Sequence, residues 1–547
     1  MPFISACGQE EIMNRRVLKF FTAVLVFLLA VFLGVSVLIT PAPADAGDTA
    51  FSAYRAAEHI KVISESVHTI NDQAELAKIR VYLKRQLESL GAKVEEKHYT
   101  VDGYDVTNVY GTFPGTSGDD ALLLVAHYDS NPGLGTGETP GSHGASDDAY
   151  GISVILEALR ALKAAGEFRN TVYVAFTDGE EADMLGAKAA SGDPSFAGIK
   201  AKAVMNIESR GLRGPAVMFE TSANNEAIFA FYADRTKLPA TWSLASDVYR
   251  IMPNFTDFTS FIEKGMTGLN FSNLDSLWEN HTCLDVYDNI SLSAVQGYGE
   301  QMLPVIEGFA RETLPENFAS DGDMEFFTVL PGVVVRYPVS MNMILLAVSL
   351  AAVTAYIVTA ALKKRIKPAR LLFALAAIGF AAAAAVAGEA VSYLLSLVFG
   401  IPFKPTNMPQ VPFQGGIAII FAALLGAVLF FILRSMMKKG WKYEELAGGT
   451  LAAFLILQAG FTFALPGGAF LFGWGCLFGA AFAFIALFVP AFKNLTGFVA
   501  VWVAAPVVVL LHVALTIGAL GAVLLFSALP MLLFLPAAAE STVKQVK

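Results

Sequence analysis

The feature that most constrains this chain is a series of long apolar segments after residue 338. An apolar segment of about 20 residues can cross a bilayer core as a helix. Within that core only helices and closed barrels satisfy the backbone hydrogen bonds. We therefore predict that residues 339–547 form an all-α multispanning transmembrane bundle of about seven helices. The candidate spans are 341–362, 371–399, 415–434, 447–465, 469–491, 496–515 and 519–537.

A further apolar segment lies near the N-terminus, in "RRVLKFFTAVLVFLLAVFLGVSVLIT". It is longer than the apolar region of an ordinary signal peptide, which favours an uncleaved anchor. The small residues of "TPAPADAG" leave a cleaved signal peptide as the alternative. We predict that residues 1–40 are a cytoplasmic N-terminus and one transmembrane anchor, which gives about eight spans in total.

Charge is divided unevenly along the chain. Residues 338–547 hold 13 Lys and Arg against 4 Asp and Glu, whereas residues 1–337 have a net charge of −19. With the N-terminus in the cytoplasm, 12 of those 13 basic residues fall on the cytoplasmic side, as the positive-inside rule requires. The same topology puts residues 41–338 outside the cytoplasm. The lipid bilayer is thus one partner, and nothing resembles the clustered basic face that binds nucleic acid.

Residues 41–338 combine apolar runs with helical patterns. Runs such as "ALLLVA", "TVYVAF" and "AKAVMNI" alternate with stretches of helical spacing, for example 149–165 and 182–190. This alternation is typical of α/β domains. We predict a mixed, largely parallel central sheet flanked by helices.

Metal-binding residue types follow the ends of the predicted strands. Ligands in α/β sheets collect at the carboxyl ends of the strands, and charged groups buried there need pairing or a metal. A later loop, "WENHTCLD", adds His281 and Asp285. The strand-end candidates are His127, Asp129, Asp178, Glu180, Glu181 and Glu208.

This inventory suits two zinc ions. A di-zinc hydrolase needs nitrogen and oxygen ligands and a bridging carboxylate. The candidates are the imidazoles of His127 and His281, the carboxylates of Glu181 and Glu208, and Asp147 between the two ions. Glu180 is placed to act as a general base.

Other polar residues near these candidates have simpler interpretations. Asp148 and Asp178 are interpreted as structuring their loops or as solvated, rather than as metal ligands, and His143 as lining the pocket. Arg210 follows Glu208 closely, so it could bind a substrate carboxylate or pair with a neighbouring acid.

The motifs "HYD", "GASDDAYG", "GEE", "NIE" and "NHTCLD" together resemble the co-catalytic zinc aminopeptidases of peptidase family M28. "NIESRG" with "GPAVMFETS" resembles the membrane-anchored branch of that family, the endoplasmic reticulum metallopeptidases and vacuolar membrane proteases. The resemblance covers residues 51–310 and the overall layout. It implies the zinc exopeptidase fold and a membrane-bound di-zinc aminopeptidase that cleaves N-terminal residues from peptides.

The resemblance also implies a role for each site residue. Asp147 would bridge two Zn²⁺ ions, with His127 and Glu208 on one ion and Glu181 and His281 on the other. Glu180 would activate the metal-bridging water and protonate the leaving amine. Asp129 would hydrogen-bond the imidazole of His127 and fix its tautomer.

One residue departs from the family pattern. Where the family often has Tyr before the last His, whose hydroxyl stabilises the oxyanion, this chain has Asn280. An amide can also donate a hydrogen bond, but the loss of an oxyanion donor typically costs about 10²–10³ in rate. At this position the resemblance therefore does not imply a Tyr oxyanion donor.

Other functions remain open on the sequence. They are a glutaminyl-cyclase-like zinc acyltransferase, a non-enzymatic receptor or scaffold, and a transporter with an accessory ectodomain. The sequon "NHT" at 280–282 overlaps a proposed ligand, which favours a bacterial cell membrane, where such sites are not routinely glycosylated. A homo-oligomer is compatible with the sequence but not indicated by it.

Overall fold

The computed structural model describes residues 32–45, 47–118, 120–133, 141–193, 201–252, 254–401, 413–494 and 519–543, with isolated positions elsewhere. The chain divides into two compact units. One unit is residues 38–339, and the other combines residues 1–37 with 340–547.

The 38–339 unit is built on a seven-stranded sheet in the order β1-β2-β4-β3-β5-β7-β6. The four central strands, β4, β3, β5 and β7, are parallel to one another. The pairs β1–β2, β2–β4 and β6–β7 are antiparallel. The prediction of a mixed sheet with a parallel core is confirmed. The strands are β1 Lys93–Val101, β2 Tyr104–Phe113, β3 Asp120–His127, β4 Thr171–Thr177, β5 Ala203–Ile207, β6 Arg213–Thr221 and β7 Gly268–Asp275.

Eight α-helices of this unit flank the sheet among the described residues. The apolar pattern that predicted a helix at 149–165 is buried along nearly its whole length. Side-chain caps define several helix starts, because an N-terminal oxygen acceptor satisfies a free backbone N–H. Asp148 starts α3 in this way and Ser291 starts α8. The helices are α1 Ala53–Ile63, α2 Gln73–Ser89, α3 Ala149–Ala165, α4 Leu185–Gly192, α5 Glu226–Ala233, α6 Ser243–Ile251, α7 Asp257–Ile262 and α8 Leu292–Arg311.

Two hairpins were not predicted from the apolar runs. β1 alternates between exposed and half-buried residues and, among the described strands, pairs only with β2, as expected for an edge strand. The two strands join at Asp102 and Gly103, which both have positive φ, the turn chemistry of an Asp-Gly hairpin. The second hairpin is a separate two-stranded sheet, β8 Met324–Leu330 with β9 Val333–Pro338.

The other unit is helical. Five helices in its described part are long and apolar enough to cross a membrane, and they overlap five of the predicted spans. The predicted span 469–491 contains a shorter apolar helix. The predicted anchor before residue 40 and the span 496–515 lie mostly outside the described residues. The helices are α9 Met341–Leu362, α10 Phe373–Phe399, α11 Gln414–Lys438, α12 Tyr443–Ala464, α13 Phe470–Ala486 and α14 Leu520–Thr542.

Candidate metal centre

The predicted site residues collect at the carboxyl ends of the parallel strands. His127 ends β3, and Glu180 and Glu181 follow β4. Glu208 directly follows β5. His281 lies beyond β7 in a loop that includes a short 3-10 helix, Leu277–Glu279. The fold therefore brings residues from four separate strand ends to one edge of the sheet.

Asp147 lies at the centre of the cluster. Its Oδ1 is 2.9 Å from His127 Nε2, and its Oδ2 is 3.2 Å from His281 Nε2. Glu181 Oε1 lies 3.1 Å from the same His281 nitrogen. Potential ligand atoms of Asp147, Glu181 and His281 all lie within 4.8 Å of one another. One carboxylate thus faces both imidazoles, one through each of its oxygens.

The loop that carries Asp147 is held by two neighbouring acids. Asp285 is fully buried and accepts hydrogen bonds from Ser146 N at 2.6 Å and Asp147 N at 3.3 Å. Asp148 accepts from Gly151 N at 3.0 Å and His127 N at 3.3 Å. Both carboxylates are therefore engaged with backbone groups, and Asp148 has the loop-structuring position expected of it.

Asp129 contacts both the imidazole of His127 and the turn that carries Glu180 and Glu181. Its carboxylate accepts from Glu180 N at 2.9 Å and from Glu181 N at 3.2 Å. The His127 Nδ1 is 3.0 Å from the Asp129 backbone carbonyl and 3.4 Å from its carboxylate. Asp129 was predicted to hydrogen-bond this imidazole, and two of its oxygens lie near the ring nitrogen. Here the backbone oxygen is nearer, and the carboxylate orients the turn that carries both glutamates.

Glu208 is buried but has partners of its own. Its Oε1 is 3.0 Å from Arg210 Nε, and its Oε2 accepts from Asn206 Nδ2 at 3.1 Å. Arg210 also donates to the Phe255 carbonyl at 3.1 Å. Two interpretations of Arg210 were left open. In the structure Arg210 pairs with a neighbouring acid, Glu208. Among the described residues, Glu208 makes no direct hydrogen bond to Asp147 or His127.

The buried carboxylates of the cluster shift the pKa values of their neighbours. Burial would lower the pKa of His127, but its contacts with Asp129 and Asp147 outweigh burial and raise that pKa well above the usual value. Burial raises the pKa of Glu180 well above its usual value; the positive charge of His127 opposes this, and the charges of Glu208 and Glu181 add to it. A cluster with more buried carboxylates than bases is the environment that a bound cation stabilises.

The donor set suits zinc. Imidazole nitrogen and carboxylate oxygen are its usual ligands in hydrolases. The side chains proposed for two zinc ions, His127, Asp147, Glu181, Glu208 and His281, all lie at this edge of the sheet. The Asp147–Glu181–His281 group is already compact enough to hold one ion.

Tyr249 is a neighbour that the sequence analysis missed. It lies on α6, and its hydroxyl is buried without a hydrogen-bond partner among the described residues. Burial raises its pKa, and the charges of Arg210, Glu208 and Glu180 also act on it, so the hydroxyl lies within electrostatic range of the site. No local spacing marks Tyr249, because its position depends on how α6 packs on the rest of the domain.

Residues 108–306 match the family described as "Peptidase family M28". A mouse protein, "Endoplasmic reticulum metallopeptidase 1", is 29% identical over 261 residues, which are 46% of this chain and 28% of that protein. A "Vacuolar membrane protease" of Clavispora lusitaniae is 24% identical over 283 residues, covering 48% and 26%. The chain thus matches about a quarter of the length of these relatives.

Among solved structures, a glutaminyl cyclase of Porphyromonas gingivalis is similar to part of this chain. It is 22% identical with a TM-score of 0.38, and the match covers 48% of this chain and 99% of that one.

Proposed function

We propose that the chain is a membrane-bound zinc metallopeptidase of the aminopeptidase type, acting on peptides, since residues 108–306 match the family described as "Peptidase family M28". The observation that carries this proposal is the position of the Asp147 carboxylate between two imidazoles. Its oxygens lie 2.9 Å from His127 Nε2 and 3.2 Å from His281 Nε2. The names of the membrane metallopeptidase relatives agree with it.

Two zinc ions would share Asp147. His127 and Glu208 would complete one ion, and Glu181 and His281 the other. Glu208 can keep Arg210 and Asn206 as partners while it binds a cation, because a carboxylate has about four lone-pair sites. Zinc held here would polarise the substrate carbonyl and favour deprotonation of water.

Glu180 is the proposed general base. It takes a proton from the attacking water and gives it to the leaving amine. Asp129 orients it by accepting the Glu180 N–H at 2.9 Å. A positioned base of this kind typically contributes about 10²–10⁴ in rate.

Tyr249 is the proposed donor to the oxyanion that forms from the substrate carbonyl. Asn280 occupies the position where the family often has Tyr, and its Oδ1 is buried without a hydrogen-bond partner among the described residues. The buried Tyr249 hydroxyl can supply a donor from a different element, α6.

We further propose that the protein has about eight transmembrane helices and an extracytoplasmic peptidase domain, formed by residues 41–338. The five long apolar helices support the membrane location. The clustering of basic residues in alternate loops between the apolar segments supports the orientation. His281 lies within the sequon 280–282 and contacts Asp147, so a glycan on Asn280 would obstruct the site. We therefore propose a bacterial cell membrane as the location, since such sequons are not routinely glycosylated there.

The first test is release of N-terminal residues from a mixed peptide pool by the full chain, followed by mass spectrometry. We expect single-residue trimming by the wild type and its loss after chelation or in Glu180→Ala. Asp183→Asn is the matched control, because it removes a nearby exposed carboxylate whose partner is Lys188. Trimming should be unchanged in this variant.

The remaining outcomes separate the alternatives. Cyclisation of N-terminal glutamine without trimming would make the protein a glutaminyl-cyclase-like acyltransferase. Bound zinc with neither activity on the pool would contradict a general aminopeptidase. Absence of both activity and bound metal would make the domain a receptor or scaffold.

A further inference from the structure

A cavity of about 1060 Å³ lies among helix ends in the helical unit. It is bordered by residues at or just beyond the C-terminal ends of α9, α11 and α14 and by the start of α12. Five basic and two acidic side chains line it, so its charge is +3. They are Arg365, Arg434, Lys438, Lys442 and Lys493, with Glu444 and Glu540.

Both acids already have basic partners. Lys493 Nζ lies 3.2 Å from Glu444 Oε1 and 2.9 Å from Glu540 Oε1. Arg365 lies 3.2 Å from the same Glu444 oxygen. These four side chains form one connected ion-pair network, which leaves no acidic group of the lining to neutralise the other three cations.

Those three cations have only neutral partners or none among the described residues. Arg434 Nε donates to Thr542 Oγ1 at 3.2 Å, and Lys442 Nζ donates to the Lys364 carbonyl at 3.0 Å. Lys438 is exposed, and no described acidic group pairs with it. Three like charges around one cavity repel one another unless an anion enters.

The cavity lies at the level where the apolar helices end. Trp441, which lines the cavity, packs on the guanidinium of Arg370 at 4.6 Å, and Trp is common at the membrane–water interface. Basic pockets at this level of a helical bundle suit phosphate headgroups, and an Arg–Lys set supplies the donors that phosphate needs.

We propose that this cavity binds a phosphate group through Arg434, Lys438 and Lys442. The phosphate is carried by an anionic lipid headgroup or by a soluble phosphate ester. The position of the cavity at the level where the apolar helices end favours the lipid. This site is independent of the proposed peptidase activity.

The test titrates the purified full chain in detergent with phosphatidylglycerol, and separately with sn-glycerol 3-phosphate, and measures binding by native mass spectrometry. Phosphatidylcholine is the reference lipid. The cavity variant carries Arg434→Gln, Lys438→Gln and Lys442→Gln. The charge-matched control carries Lys364→Gln, Lys367→Gln and Lys439→Gln, which are exposed and do not line the cavity.

We expect the cavity variant to bind phosphatidylglycerol at least about 10-fold more weakly and the control to change less than about 2-fold. Cavity-dependent binding of glycerol phosphate without the lipid would keep the phosphate site and assign the soluble source. Equal losses in both variants, or no preference over phosphatidylcholine, would overturn the proposal. Lys438→Glu alone tests the same site with an exposed side chain, so that a folding defect of the triple variant cannot decide the result.

Discussion

At the scale of single residues, the position of Asp147 depends on neighbouring carboxylates that hydrogen-bond the backbone around it. A carboxylate that faces two imidazoles must keep its position while both of its oxygens are engaged. Asp285 holds the backbone on its N-terminal side through Ser146 N and Asp147 N, and Asp148 fixes the start of α3 on the other side. The central residue is therefore placed by two carboxylates that hydrogen-bond the backbone around it.

Replacing Tyr249 by Phe tests the proposed oxyanion donor. We expect kcat to fall by about 10²–10³ with little change in KM, because the donor acts on charge that develops only in the transition state. Steady-state kinetics on a short peptide would measure this. Tyr54→Phe, at an exposed position on α1, is the control. An unchanged kcat in Tyr249→Phe would exclude the hydroxyl from this role.

Gly151→Ala tests the packing beneath Asp147. A Cβ at this position would lie 1.8 Å from the Ile207 carbonyl and 2.5 Å from Asp148 Oδ1. The start of α3 would have to shift, so we expect a loss of about 2–4 kcal/mol in stability together with weaker zinc binding. Gly192→Ala, where the added Cβ meets nothing within 4 Å, should lower neither the thermal midpoint nor the zinc affinity.

At the scale of elements, the parts that could be predicted are those set by local pattern. The apolar runs of β3 and β5 and the helical spacing of α3 follow directly from burial. β1 escaped prediction because an edge strand lacks a clear apolar face. Its only strong signal is the Asp102–Gly103 turn.

Some residues of the candidate site could likewise be predicted from local sequence, and others could not. His127 and Glu208 could be proposed because they end or directly follow apolar runs. The Glu208–Arg210 pair could only be proposed as one of two alternatives, because spacing alone does not tell a side chain's partner. The position of Tyr249 depends on how α6 packs on the rest of the domain, which no local pattern contains.

The α1–α2 pair should respond to acid through His59. Its Nδ1 lies 2.7 Å from Tyr82 Oη. Burial lowers the pKa of His59 to about 4, with Glu157 and Glu58 opposing the shift. Because the folded-state pKa is below the unfolded value of about 6.5, the unfolded chain takes up the proton first. Stability is full above about pH 6.5 and is lost as the pH falls towards 4.

The expected loss at pH 5 is about 2 kcal/mol relative to pH 7. Thermal midpoints at both pH values measure it. The drop should be smaller in His59→Gln than in the wild type. Tyr82→Phe should keep the wild-type drop, since burial is the main cause of the shift. Equal drops in all three proteins would rule out His59 as the group responsible.

At the scale of the whole molecule, the two units differ in what can stabilise them. The helical unit has few charges, and the 38–339 unit holds the buried acids of the candidate centre. A ligand that binds only the folded state adds stability to the part that it contacts, about 4 kcal/mol at a concentration 1,000 times its Kd. Zinc should therefore act on one unit only.

Metal removal tests this by hydrogen exchange and mass spectrometry on the full chain. Chelation should speed exchange in peptides that cover the site loops after β3, β4, β5 and β7, where the proposed ligands lie. Peptides from α12, in the other unit, should not change. Asp147→Asn should remove the difference between zinc-loaded and chelated protein, whereas Asp234→Asn, which alters an exposed salt bridge with Arg336, should keep it. A chelator effect on α12 as large as that on the site loops would mean that zinc stabilises the chain through some other site.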